Sequence, residues 1–147
     1  MTCVLRAIGR PFDVDAFLVG SELRPDCVYR RGEPKCPDLA QEPQHAASGL
    51  SLPVSAAAAS DLPGQVRDAL RFLDEHEDEL RRLAGYPGVE EVCLEFSVEH
   101  RDETAQADIF HAELLWRMGA LDIDLVVTRH APAGEAQQAA IERERRH

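Results

Sequence analysis

Five carboxylates stand where two strands would carry them onto one surface: Glu91, Glu95 and Glu99 at period two, then Asp122 and Asp124 further on. Side chains two apart on a strand share a face, so these groups could hold a hard cation or the basic surface of another protein. The plain alternative is a solvated face with Arg6 or Arg30 as cross-strand partner. A second cluster is basic. Arg30, Arg31, Lys35 and His45 flank a proline-rich stretch, and arginine forks suit a carboxylate or phosphate. Gly32 and Gly49 would let the backbone approach such a ligand closely. Here the alternative is pairing with the protein's own acids.

The remaining candidates are thiols, imidazoles and one indole. Cysteines occur at 3, 27, 36 and 93 with no C-x-x-C. Cys27, Cys36 and His45 are separated by gaps that match no familiar zinc knuckle, so no metal set is expected. Cys36 and His45 could form a nucleophile and base, but no third group orients them. Cys3 and Cys93 read as small strand residues. Trp116 falls on its helical wheel well away from Phe110, Leu114 and Met118, as an exposed anchor for a partner or a second copy would. His76 and His111 read as rim residues. None of this amounts to a catalytic motif, and no cofactor is implied.

These groups need a scaffold, and residues 63–84 organise it. On a 100° wheel Leu62, Val66, Ala69, Leu70, Leu73, Leu80 and Ala84 share an apolar face, which predicts one long amphipathic helix. Asp61 is its expected cap, Gly85 and Pro87 its stop, and Glu77–Arg81 and Asp78–Arg82 its i,i+4 ion pairs. Alternation predicts strands over 2–8, 26–31, 50–54, 89–99 and 121–127, with further helices over 13–19 and 109–118. Residues 33–48 read as a long loop. Pro53 lacks a ladder donor, which argues that the third strand lies at an edge or ends there.

The order is β-α-β-β-α-β-α-β. It predicts an α+β fold: a ferredoxin-like split β-α-β core with an added helix and strand, helices on one sheet face and the other face open. A single domain is expected over 1–131, with 132–147 a polar tail, helical or disordered.

Composition narrows the partners. The formal net charge is −11 and the sequence pI about 4.9, a field that repels phosphate backbones and anionic lipid. Nucleic acid and membrane surfaces are thus unexpected, while a basic protein would be attracted. No run approaches a membrane span, and Arg6 and Arg10 interrupt any export-type apolar segment, so a cytoplasmic chain is expected.

Three stretches carry a resemblance. Val28-Tyr29-Arg30-Arg31-Gly32-Glu33-Pro34, then Ala47-Ser48-Gly49-Leu50, then Glu113-Leu114-Leu115 with Gly119 and a final strand resemble the uncharacterised bacterial domain-of-unknown-function family four-two-seven-nine. Its members often carry a tryptophan on the strand after the loop, where this chain has Leu50 and Leu52. The resemblance implies a small α+β domain, supplies no catalytic residue, and suggests immunity-type or partner-binding roles.

Two readings of function follow. The first is a non-enzymatic protein-binding module, engaging a basic partner through Glu91, Glu95 and Glu99 or through Trp116; a homodimeric module with no ligand is a separate, plainer possibility. The second is binding or catalysis of a small anion at Arg30, Arg31, Lys35 and His45.

Overall fold

The computed structural model describes residues 2–33, 45–102 and 104–131, together with Arg143 and Arg145. Lys35, Cys36 and most of the expected tail lie outside the described residues; Arg143 and Arg145 are helical. Nine elements run in order: β1 (Cys3–Gly9), α1 (Val14–Leu18), β2 (Cys27–Tyr29), β3 (Ser48–Ser55), α2 (Leu62–Glu75), α3 (Glu77–Ala84), β4 (Glu91–Glu99), α4 (Ala112–Ala120) and β5 (Asp124–His130). The strands form one sheet in the order β2-β3-β1-β4-β5. The first four are antiparallel to their neighbours, while β5 lies parallel to β4 after the α4 crossover. The protein is an α+β fold, and this order is compatible with a split β-α-β core carrying one added helix and strand.

Alternation puts the core on one side. Cys3, Leu5 and Ala7 of β1 are fully buried, and their neighbours Leu50, Leu52, Leu94 and Phe96 lie on the same face. Val66, Ala69, Leu73, Leu80, Leu83, Leu114 and Met118 of the helices pack onto that face. Each fully buried leucine stabilises the fold by about 2 kcal/mol, more than any surface ion pair here can. The other face, with Val4, Arg6 and Ile8 at its centre, is half-buried, and none of α1 to α4 contributes its core residues there.

Several expectations are corrected by local geometry. The long helix is two, because His76 takes φ −119 and ψ 21 between α2 and α3. Its ring lies 4.8 Å from that of Phe72, and its Nδ1 stands 3.3 Å from Glu22 Oε2, at ion-pair distance without hydrogen-bond geometry. Leu73 and Leu80 are two heptad-like turns apart, so the apolar face survives the break. Asp61 caps α2 as expected, accepting from Gly64 N at 3.0 Å. Glu77–Arg81 also forms, at 3.2 Å, but Arg82 turns to Glu79 and leaves Asp78 to Arg81 at 3.8 Å.

Pro53 is not on an edge strand: β3 lies between β2 and β1. The conflict resolves because β2 has only three residues, paired with Gly49, Leu50 and Ser51. Beyond Ser51 no described strand pairs with β3 on that side, so a residue without an N–H costs no ladder bond there. The expected strands over 26–31 and 121–127 shrink or shift accordingly. Leu121 and Ile123 are buried before β5 begins, and Asp122 between them adopts φ 55 to turn the chain. The helix expected at 109–118 starts at Ala112 and runs through Gly119.

One aromatic cluster closes the end of the sheet. Phe17 meets Tyr86 edge to face at 5.2 Å, and Phe12 meets both at 6.2 and 5.9 Å. The Arg82 guanidinium lies 4.0 Å over the Phe17 ring and donates to Phe17 O at 2.8 Å. Nearby, Gly88 at φ 93 brings its carbonyl against Gly9, at the end of β1.

Candidate functional site

The open sheet face gathers the acidic candidates. In register, Ile8 stands opposite Glu91, Arg6 opposite Cys93, Val4 opposite Glu95, and Cys93 in turn opposite Asp124. Side chains at these positions alternate away from the core, so Glu91, Glu95, Glu99 and Asp124 share the face as expected. Asp122 does not; it sits in the turn before β5. Glu95 is not available to a ligand. Arg6 reaches it with both terminal nitrogens, at 3.2 and 2.9 Å, and Thr128 Oγ1 donates to it at 3.1 Å. Glu91, Glu99 and Asp124 have no ion-pair partner among the described residues.

Cys93 is buried within this acidic surround. Burial first, then Glu91, raises its thiol pKa, so the thiolate is disfavoured. Cys3, on the core face, is pushed up to about 12, chiefly by burial with Asp68 adding to it. Neither is an activated nucleophile.

The basic cluster is brought together only in part: Arg30 and Arg31 line one groove, while His45 packs on Tyr29. Arg30 is held by Asp15 through Nε at 3.0 Å and Nη2 at 2.8 Å, with Glu33 at 3.8 Å. Those bonds hold Asp15 below the usual carboxylate range and raise Arg30. His45 stacks on Tyr29, ring centres 5.3 Å apart, and its backbone bridges to Gly32 and Glu33. Arg31 lines an open groove of about 310 Å³ together with the Arg30–Asp15 pair, Arg10, Asp13 and Ser48. Its N–H donates to Ser48 Oγ at 2.9 Å. Arg10 was not singled out from the sequence; only the turn at Gly9 brings it beside Arg31.

Of the zinc candidates, Cys27 is exposed, His45 is committed to Tyr29, and Cys36 lies outside the described residues. Among the described residues no group of three or more His, Cys, Asp or Glu could hold a metal ion. Trp116 is exposed at 73%, as the wheel implied, but on the helix layer and not the open sheet face. It lines a groove of about 250 Å³ between α2, α3 and α4 with Leu73, Asp74, Arg81 and Arg117. Leu115, next to the buried Leu114, is exposed. Among the described residues no helix is long and apolar enough to cross a membrane.

Comparison against protein-family models, curated proteins and solved structures finds no match to this chain. The likeness to family four-two-seven-nine therefore stands as an expectation of the quoted residues.

Proposed function

We propose that the chain is a non-enzymatic protein-binding module that receives a basic partner on the open face of its sheet. The observation that carries this reading is the charge left on that face: Arg6 is committed to Glu95, while Glu91, Glu99 and Asp124 have no ion-pair partner among the described residues. Rim carboxylates of this kind steer a cationic surface toward the sheet. The half-buried Val4 and Ile8 beside them offer apolar contact. The net charge of −11 strengthens the attraction at long range. Capture experiments test it. Wild-type protein should retain basic polypeptides from its host lysate at low salt, and the pair Glu91→Lys with Glu99→Lys should lose them. Equal capture by both proteins would end this reading.

A second reading rests on the groove at Arg10 and Arg31, whose guanidinium groups have no acid partner among the described residues. It would take a small anion there, with Arg30 lining the same groove but held by Asp15. Phosphate or sulfate should then raise the melting temperature, and Arg10→Ala should remove the shift.

A further inference from the structure

Among the described residues β5 is an edge strand whose own sequence lacks the usual protection. It contains no proline and no lysine, it runs seven residues, and no bulge interrupts its ladder with β4. On its helix-side face Leu125 and Val127 remain exposed at 38% and 40%, where β1 and β4 bury every equivalent position. The direction of its free backbone groups follows from one hydrogen bond. His100 N donates to His130 O at 2.8 Å, so the His130 carbonyl points toward β4. Groups alternate along a strand, and therefore the N–H and C=O of Leu125, Val127 and Arg129 point outward, unpaired by β4.

We propose that a second copy of this chain pairs its β5 antiparallel against this edge, giving a two-fold dimer with one continuous sheet. The strand is its own complement. A two-fold axis through Val127 aligns Asp124–His130 with itself over its whole length and sets every outward N–H against an outward C=O. In that register Val127 meets Val127, Leu125 lies opposite Arg129, and Asp124 lies opposite His130, an acceptor against a donor. The two copies of Leu125 and Val127 cover one another on the helix side, with Leu115 of α4 exposed on the same layer. The axis stands perpendicular to the sheet, so helices fall beside helices and the two acidic open faces merge into one. The seam borders the partner-binding face proposed above: it engages Asp124 of that face, and the dimer would present Glu91 and Glu99 twice.

Sedimentation and oxidative cross-linking of the full chain test the proposal. The wild type should sediment as a dimer at micromolar concentration, and Val127→Lys as a folded monomer whose melting temperature no longer rises with protein concentration. In a Cys27→Ser, Cys36→Ser background, Val127→Cys should form an intermolecular disulfide, because paired Cα atoms in that register stand ~5.5 Å apart. Val126→Cys should cross-link far less. A wild-type monomer across the micromolar range, a dimer that Val127→Lys leaves intact, or preferential linkage through Val126→Cys would each overturn it. If Val127→Lys fails to fold, the cross-linking pair alone decides.

Discussion

Arg6 and Glu95 grip one another across β1 and β4, with two hydrogen bonds of 3.2 and 2.9 Å on the open side of the sheet. The pair is diagonal, since Arg6 stands opposite Cys93, and Arg6 is nearly half exposed. Its contribution to stability should therefore be small. Replacing Arg6 with Ala should cost about 1 kcal/mol in urea denaturation at low salt, and less as salt rises. The double variant Arg6→Ala, Glu95→Gln should recover part of that loss, because it leaves no unpaired carboxylate. A loss beyond 3 kcal/mol would mean that the pair behaves as a buried one.

Glu79 and Arg82 form a tighter clasp. Glu79 accepts from Arg82, from Ser21 Oγ at 3.0 Å and from Glu22 N at 3.3 Å, tying α3 to the segment after α1. Burial alone would raise its carboxyl pKa, but the hydrogen bonds from Arg82, Ser21 and Glu22 outweigh it and hold the group below the ordinary 4.5. A depressed folded value stabilises the protein above 4.5, and that contribution disappears as pH falls through the folded value. Glu79→Gln should cost roughly 2 kcal/mol at neutral pH and flatten the acid limb of the stability curve. Arg82→Lys keeps the charge but loses the planar fork over Phe17, for about 1 kcal/mol.

Glycines should separate sharply by position. A Cβ on Gly9 would stand 1.8 Å from Gly88 O, and one on Gly88 would meet Pro11 O at 2.6 Å from a backbone at φ 93. Either alanine variant should lose roughly 3 kcal/mol or more, since backbone must move on both sides. Gly119 has open space around it inside α4. Gly119→Ala should stabilise by about 0.5 kcal/mol. Thermal melts of the three variants give the comparison.

Thiol reactivity should follow burial. Cys27 is exposed, whereas Cys3 is fully buried with its thiol pushed to about 12 and Cys93 is buried among carboxylates. Maleimide labelling of the native protein at mildly alkaline pH, mapped by peptide mass, should modify Cys27 and spare Cys3 and Cys93 until the chain unfolds. Rapid native labelling at Cys93 would show that the acidic face opens.

Much of the scaffold was legible because burial imposes period. Leu5, Leu94 and Phe96 alternate with polar residues, and one face of α2 and α3 repeats apolar groups at helical spacing, so strands and helices could be placed without partners. The break at His76 was not legible, because it reflects contacts with Glu22 and Phe72 and not a local breaker residue. The same holds for β5: Leu125 and Val127 alternate as core residues do, yet an edge strand leaves them uncovered. At the candidate sites, residue type predicted the acidic face, but only register shows that Arg6 removes Glu95 from it. Arg30 keeps its place beside Arg31 but is occupied by Asp15, a residue on α1 that sequence distance concealed.

The three-residue β2 and Pro53 leave the two rims of the sheet unlike each other. An incoming strand finds only a stub at β2, and past Ser51 it meets a residue with no N–H to offer. A sheet that can extend at one rim alone ends its growth after a single addition. Pairing at β5 then closes on itself, and the blunted rim keeps the same backbone chemistry from propagating into a fibre.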